Sequence, residues 1–487
     1  MQTLIPQAVT VRARWLGRTG RWAGFGLTAR ALLLLIAGVL WTIPAFFHVA
    51  RTWVPVLMMV IWDVLVVVCC WKELDTLPSP LEIEVTRRFL NSPALGERTE
   101  VACEVVQGSN RVVRFWVTDD LHPSLIAMPK AVEVTAFPRD AAVGVVECFP
   151  GERGDFTLGK IYLRYGGALG LVERWAVCDA EQRVRVFPAA EQGGDGTQFF
   201  LMRARQIELQ KRKLQQRGIG REFESMREYQ RGDELRNISW TATARRGKLV
   251  TRQFTTERSQ QVWVVLDAGR LSRTAFEMKR QRPVAAGESE QDVAENLLMT
   301  VTQLDQATSA AMMLAQVIAG SGDKFAMLSY GRGIQQQLLP GSGPVHLRIL
   351  MNLLSQVKSE AAEANHLQAA SRLKTLQRRR GLMIWVTEMA ESAGRPEVVA
   401  AVAELVRRHL VVLVLLEHRE LDELAAREPK TAEEMYASTA AQEMLERRRR
   451  TIATLRQQGV LVVQTTPGEV GAAAISKYLE VKAQGLL

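Results

Sequence analysis

The residues best placed to do chemistry lie close together near the middle of the chain. Between positions 222 and 245 stand Glu222, Arg227, Tyr229, Asp233, Arg236 and Arg245, with Phe223, Gly232, Ile238 and Trp240 interleaved. Carboxylates and guanidinium groups at this density can form an acid–base site or a cluster of bidentate ion pairs. The spacing supplies no nucleophile with an adjacent base, so covalent catalysis is not implied. Gly232 permits a turn, and Asp233 and Arg236 are three residues apart, where they can pair with each other or with backbone groups. Ile238 and Trp240 alternate with polar residues as in a half-buried strand. The segment is expected to brace the fold or to dock a partner, and no catalytic residue is assigned. Elsewhere chemistry is sparse. Cys69, Cys70, Cys103, Cys148 and Cys178 and six dispersed histidines contain no C-x-x-C pair and no zinc spacing. The G-S-G-P at 341–344 lacks the Gly-Lys-Ser/Thr of a phosphate loop.

The net charge of +10 is two local features. Arg12, Arg14, Arg18, Arg21 and Arg30 occupy the first thirty residues, with no acid among them. Residues 199–258 hold fifteen Lys/Arg against seven Asp/Glu, and the remainder of the chain is slightly acidic. A basic segment with Tyr229 and Trp240 resembles a nucleic-acid surface in composition. Its charges are interleaved with Glu and it carries no recognition motif, so nucleic acid is not expected. Apposition to an anionic bilayer accounts for the same arginines. The run 417–450, ending in four arginines, reads as a long solvated helix or as a docking face for an acidic partner.

The elements that position these residues begin at a membrane. Residues 31–47 carry no charge, and residues 53–71 carry one, Asp63. At 1.5 Å per residue each stretch is close to the ~30 Å of a hydrocarbon core. Trp22, Trp41, Trp53 and Trp71 fall near the ends of the two stretches, where interfacial rings are favoured. Two transmembrane helices are therefore expected, and the five arginines before the first place the N-terminus in the cytoplasm. Asp63 is expected to pair with Thr42 or with a Trp N–H. Residues 80–190 read as about seven short alternating strands, an antiparallel β-sandwich. Residues 199–217 read as a basic helical connector. From 259 to 487 the apolar runs 262–266, 325–328, 381–386, 410–416 and 460–463 alternate with helical stretches, which indicates a doubly wound α/β domain. Any ligand of such a sheet sits at the carboxyl ends of its strands. The organisation is thus 1–75 basic arm and helical hairpin, 80–190 sandwich, 199–258 connector and polar segment, and 259–487 α/β domain.

The run G-I-G-R-E-F-E-S-M-R-E-Y-Q-R-G-D-E-L-R-N-I-S-W-T-A-T-A-R-R-G-K-L at 218–249 closely resembles the signature of the bacterial "domain of unknown function 58" family. So do R-G-D-F-T-L-G-K at 153–160, G-A-L-G-L-V-E-R at 167–174 and V-R-V-F-P at 184–188. The resemblance implies a C-terminal domain similar to von Willebrand factor A domains and an association with MoxR-type AAA+ ATPases and other membrane proteins. Such A domains hold Mg²⁺ with a D-x-S-x-S motif after the first strand, a set of hard oxygens. Here Asp267 is present, but Gly269 and Leu271 stand at the serine positions, and Arg270 brings positive charge. Ser272 reaches the site only by a register shift, and Glu388 after Thr387 stands where Asp is usual. Asp267 and Glu388 are read as a degenerate remnant, with neither metal nor cofactor expected. The expected protein is a multi-pass component of the bacterial inner membrane with its soluble domains in the cytoplasm. It is expected to be a non-enzymatic adaptor. The alternatives are an enzyme using the polar cluster, or a nucleic-acid or lipid-surface binder acting through the connector.

Overall fold

In Ile83–Phe89, Val113–Asp119 and Ile161–Gly166 every second residue is buried, so each strand offers one apolar face. The computed structural model describes residues 5–16, 24–43, 53–138, 140–189, 199–207, 222–230, 235–255, 260–280, 297–389, 397–417 and 419–486. The chain divides into two units, 1–187 and 188–487.

The first unit contains strands β1 (Val9–Arg12), β2 (Arg14–Trp15), β3 (Phe25–Leu27), β4 (Ile83–Phe89), β5 (Thr99–Gln107), β6 (Val113–Asp119), β7 (Leu125–Met128), β8 (Ala131–Ala136), β9 (Ala141–Pro150), β10 (Gly154–Leu158), β11 (Ile161–Gly166), β12 (Val172–Cys178) and β13 (Gln182–Val186). One sheet runs β1-β4-β5-β9-β7, and the other runs β2-β12-β11-β6-β8 with β3 also on β12. Ile83, Val85 and Val105 of one sheet pack on Phe115, Val117, Ile161 and Leu163 of the other. Burying each such side chain contributes about 1.5–3 kcal/mol. A buried ion pair, Arg87 on β4 with Asp119 on β6, joins the two sheets. Arg87 also donates to the carbonyls of Ala180 (2.7 Å) and Gly159 (3.1 Å). Gly159 turns β10 into β11 where a Cβ would clash with the Asp120 carboxylate.

The same unit holds helices α1 (Ala29–Gly38), prolonged by a 3-10 turn over Val39–Thr42, and α2 (Trp53–Thr76). Residues 44–52, between the two, lie outside the described residues. The basic arm, expected as an element apart from the sandwich, is instead built into it. Val9 to Arg12 pair with Arg87 to Glu84, and Phe25 to Leu27 pair with Arg174 to Val172. These strands are too short to be legible, and their partners lie far along the chain.

In the second unit the strands are β14 (Glu222–Glu228), β15 (Val250–Thr255), β16 (Gln261–Asp267), β17 (Ala275–Arg280), β18 (Leu297–Thr302), β19 (Lys324–Tyr330), β20 (Ile334–Gly341), β21 (Leu382–Thr387), β22 (Leu410–Leu416) and β23 (Leu461–Thr465). Its main sheet has the order β20-β19-β16-β21-β22-β23, parallel except for β20. Numbered along the chain this is 3-2-1-4-5-6, a doubly wound order. Every residue of β21 is buried. Val262, Val264 and Leu266 face one core, and Trp263 and Val265 face the other.

The helices are α3 (Trp240–Arg246), α4 (Gln303–Gly320), α5 (Pro344–Gln356), α6 (His366–Leu376), α7 (Glu397–Val406), α8 (Arg419–Ala426), α9 (Ala432–Gln457) and α10 (Val470–Gln484). α4, α5 and α10 cover the first face, and α6, α7 and α9 cover the second. Helical residues 199–207 lay Phe200, Leu201, Ala204 and Ile207 on the first face, whereas 208–221 lie outside the described residues. The antiparallel strand β20 was not expected, because I-Q-Q-Q-L-L-P-G is a half-exposed edge with no apolar run to read.

Candidate functional site

The polar segment folds as a hairpin around a short helix. β14 pairs antiparallel with β15, with a bulge between Phe223 and Ser225. Glu222 stands opposite Thr255, Phe223 opposite Phe254, and Arg227 opposite Thr251. The Tyr229 N–H donates to the Leu249 carbonyl (2.9 Å). Ile238 is buried and bridges to Thr251. Trp240 departs from expectation: it begins α3 instead of continuing a strand, and it is 68% exposed. Gly247, at φ 66°, ends that helix beside Arg245 and Arg246, cations well placed at a helix C-terminus. Arg236 sits in the 3-10 turn Leu235–Asn237. Gly232 and Asp233 lie outside the described residues, and the expected Asp233–Arg236 pairing lies there with them.

The carboxyl end of the parallel sheet brings a second set of groups together. Asp267 Oδ1 accepts from the Gly269 N–H (2.8 Å), and Oδ2 accepts from the Thr387 hydroxyl (2.6 Å). Burial pushes its carboxyl above the ordinary range, opposed by His366, Thr387 and Gly269. Beside it, the buried Tyr330 hydroxyl lies 2.7 Å from His366 Nδ1 and accepts from Trp385 Nε1 at 2.7 Å. Asp267, Ser272, Gln303, Thr387 and Glu388 border a cavity of about 10 Å³, the size of one water. Ser272 does reach this cavity, but its hydroxyl donates to the Gly269 carbonyl (2.8 Å). Arg270, expected to bring charge here, is drawn to Glu363 at 2.8 Å on the surface.

An A-domain Mg²⁺ would need a hydroxyl at position 269, and none fits. A Cβ there would lie 2.8 Å from Ala364 Cβ and 2.9 Å from its backbone nitrogen. Among the described residues no three His, Cys, Asp or Glu side chains stand together as metal ligands. Burial also disfavours the thiolate at Cys103, Cys148 and Cys178, pushing each thiol up to about 12.

A third polar centre, at the base of the two apolar helices, escaped sequence reasoning. Glu73 near the end of α2 is buried and accepts three backbone N–H groups: Gly170 (2.8 Å), Leu171 (2.8 Å) and Val172 (3.2 Å). From α1, the Thr28 hydroxyl donates to the Gly170 carbonyl (2.7 Å), and the Thr28 N–H donates to the Leu171 carbonyl (3.0 Å). Arg174 and Tyr165 hold the carbonyl of Pro78, just past α2 (3.1 and 3.0 Å). A Cβ at Gly167 would lie 2.7 Å from Glu73 Oε1, and Gly170 has φ 64°. The run G-A-L-G-L-V-E-R is thus a cradle for a helix-end carboxylate. A Glu two residues after an interfacial Trp reads as solvated, so only the turn of the β11–β12 hairpin discloses its role. Asp63 also departs from expectation. Thr42 donates to Val39 and the Trp62 N–H to Leu34, and Asp63 Oδ1 lies against Gly38 with no partner among the described residues.

Fold and site define a multidomain protein. Among the described residues, a β-rich N-terminal unit carries one helix long and apolar enough to cross a membrane, and an α/β unit follows. The model of the family described as "Protein of unknown function DUF58" matches residues 225–288 and 296–458, and this region of the chain is similar to that family. An uncharacterized protein of Bacillus subtilis (strain 168), YeaD, is 27% identical over 135 residues, 26% of this chain. The chain spans about 30% of the length of that relative. An aerotolerance-related membrane protein from Bacteroides fragilis NCTC 9343, crystallised with multiple mutations to serines, aligns over 47% of this chain and 100% of its own. The identity there is 13% and the TM-score 0.27. The PapD-like domain 7 of human CEP192 aligns over 19% of this chain and 72% of its own, at 10% identity and a TM-score of 0.14.

Proposed function

We propose that this chain is a membrane-anchored, non-enzymatic adaptor whose α/β domain, read as von Willebrand A-like, engages protein partners. A MoxR-type AAA+ ATPase is the first of these, and the process is assembly or maturation of envelope proteins. The observation that carries the reading is the sheet end. The carboxylate at the ligand position of the fold has both oxygens engaged by its own chain, around a cavity that admits no substrate. The 3-2-1-4-5-6 order, with Asp267 closing the first strand, supports the A-like assignment.

Two observations support the anchor. A core helix would be mostly buried, whereas only 17% of the most apolar window of the spanning candidate is, and Ile61, Val64, Leu65 and Val68 point outward. The pairing of β1 with β4 favours an even number of crossings, because a single crossing would put the two strands on opposite sides of the bilayer. Two spans with the N-terminal arginines inside then leave both units in the cytoplasm of a bacterial cell, at the inner membrane.

The test is affinity capture of the tagged full chain from solubilised native membranes. Co-purification of an AAA+ ATPase, retained under non-hydrolysable nucleotide, is expected; capture without any ATPase sinks the partnership. A periplasm-dependent reporter fused after Leu487 is expected to stay silent, and an active one reverses the orientation.

A further inference from the structure

The outward face of the six-stranded sheet carries a feature that the adaptor reading leaves unused. Arg164 on β11 has Trp175 of β12 and Trp116 of β6 as its two cross-strand partners. The row points away from the core, which Phe115, Val117, Leu163 and Tyr165 fill. The Arg164 guanidinium carbon lies 4.7 Å from the centre of the Trp116 ring. Half of its side chain is exposed, and its loose ion pair with Glu173, 3.8 Å from Nε, is too long for a hydrogen bond. Its donors therefore remain available to an anion. Tyr162, two residues back along β11, is 41% exposed. With Leu16 these residues line an open groove of about 350 Å³, a small-ligand size.

Position gives the groove its meaning. The Trp175 ring packs on Gly26, where a Cβ would come within 2.7 Å of it, and Gly26 is two residues before Thr28, the cap of α1. On its own strand Trp175 is three residues past Val172, which touches Glu73 of α2, a path of roughly 10 Å. The row therefore stands beside the base of both apolar helices. Headgroups extend roughly 5–7 Å beyond each face of the hydrocarbon core. Indole and phenol rings favour that layer, and a guanidinium matches phosphate oxygens while stacking on aromatic faces. We propose that this groove binds the headgroup of an anionic phospholipid, with the phosphate on Arg164 and the glycerol between Trp116, Tyr162 and Trp175. The proposal rests on the membrane reading above.

The experiment titrates the detergent-purified full chain with dihexanoyl-phosphatidylglycerol below its micelle concentration, following tryptophan fluorescence and Tm. Dihexanoyl-phosphatidylcholine and inorganic phosphate run in parallel. A saturable response to phosphatidylglycerol is expected, with phosphatidylcholine about tenfold weaker and Arg164→Gln weakened by a similar factor. Arg164 is exposed, so that variant tests binding and not folding. Equal affinity for the two lipids, or parental affinity in Arg164→Gln, overturns the proposal. Inorganic phosphate matching phosphatidylglycerol also overturns it, as a site for free anions. Alkaline carbonate extraction of cell membranes separates the two readings. If the chain stays in the pellet while the titration is flat, the groove fails alone. If the chain is extracted, the membrane reading fails and the groove with it.

Discussion

Glu73, buried, and Asp267, half-buried, are both carboxylates that accept hydrogen bonds from their own chain, yet they serve different ends. Glu73 accepts three N–H groups from a loop nearly a hundred residues away, and so fastens a helix to a hairpin. Asp267 accepts from a residue two positions on and from the neighbouring strand, and so closes the end of a sheet. The contrast extends to the two units. The sandwich relies on polar ties between separate elements, Arg87–Asp119 across its sheets and Glu73 at its helices. The α/β unit has a buried pair of its own, Lys482 with Asp323 (2.8 Å), but adds strands buried on both faces, such as Leu382–Thr387. Polar ties fix which elements meet; continuous apolar strands supply most of the burial.

The sharpest way to break that contrast is Arg87→Ala. It leaves the Asp119 carboxylate buried and unpaired, and should destabilise the first unit by about 3–5 kcal/mol. Thermal unfolding of the full chain checks it, and a variant as stable as the parent would remove the tie between sheets. Glu73→Ala orphans three backbone donors and should cost about 2 kcal/mol. Hydrogen exchange reads it locally: protection at Gly170, Leu171 and Val172 should fall while the α/β strands keep theirs. Unchanged protection would mean that the helices are not fastened there.

Asp267→Asn should be milder and of opposite sign. The folded state holds the Asp267 proton more tightly than the unfolded chain does. Its contribution is therefore fully present below the unfolded value of about 4 and is lost as pH rises through the raised folded value. Asn should flatten that decline and stabilise by up to about 1 kcal/mol near neutral pH, seen as melting temperature against pH. A loss of several kcal/mol would make Asp267 a structural tie like Glu73. The smallest expected effect is that of Mg²⁺ on the full chain, no shift in melting temperature. A site saturated at a hundred times Kd would add about 2.7 kcal/mol, and such a shift, abolished in Asp267→Asn, would restore the metal.

Much of this was legible along the chain. The apolar runs of the parallel strands, the alternation of the sandwich and the apolar helices follow from local periodicity, because burial on two faces, one face or all round leaves different patterns. The absence of hydroxyls at positions 269 and 271 was equally plain. The edge strand Ile334–Gly341 and the exposure of Trp240 were not. An edge has no apolar period, and one Trp fits a strand or a helix start equally well.

By itself, then, the sequence determined the order of the layers and the family resemblance of the segment around 218–249, since both are written in neighbouring residues. Tertiary structure alone decided what the single polar residues do. Arg87, Glu73 and Arg164 look alike as charged residues within apolar or alternating runs. Pairing makes the first a buried tie between sheets, the second a helix fastener and the third a solvent-facing cation between two tryptophans. Their partners lie 32, 97 and 48 residues away. Local patterning carries no information at that range, because such contacts are set by which strands pair and in what register.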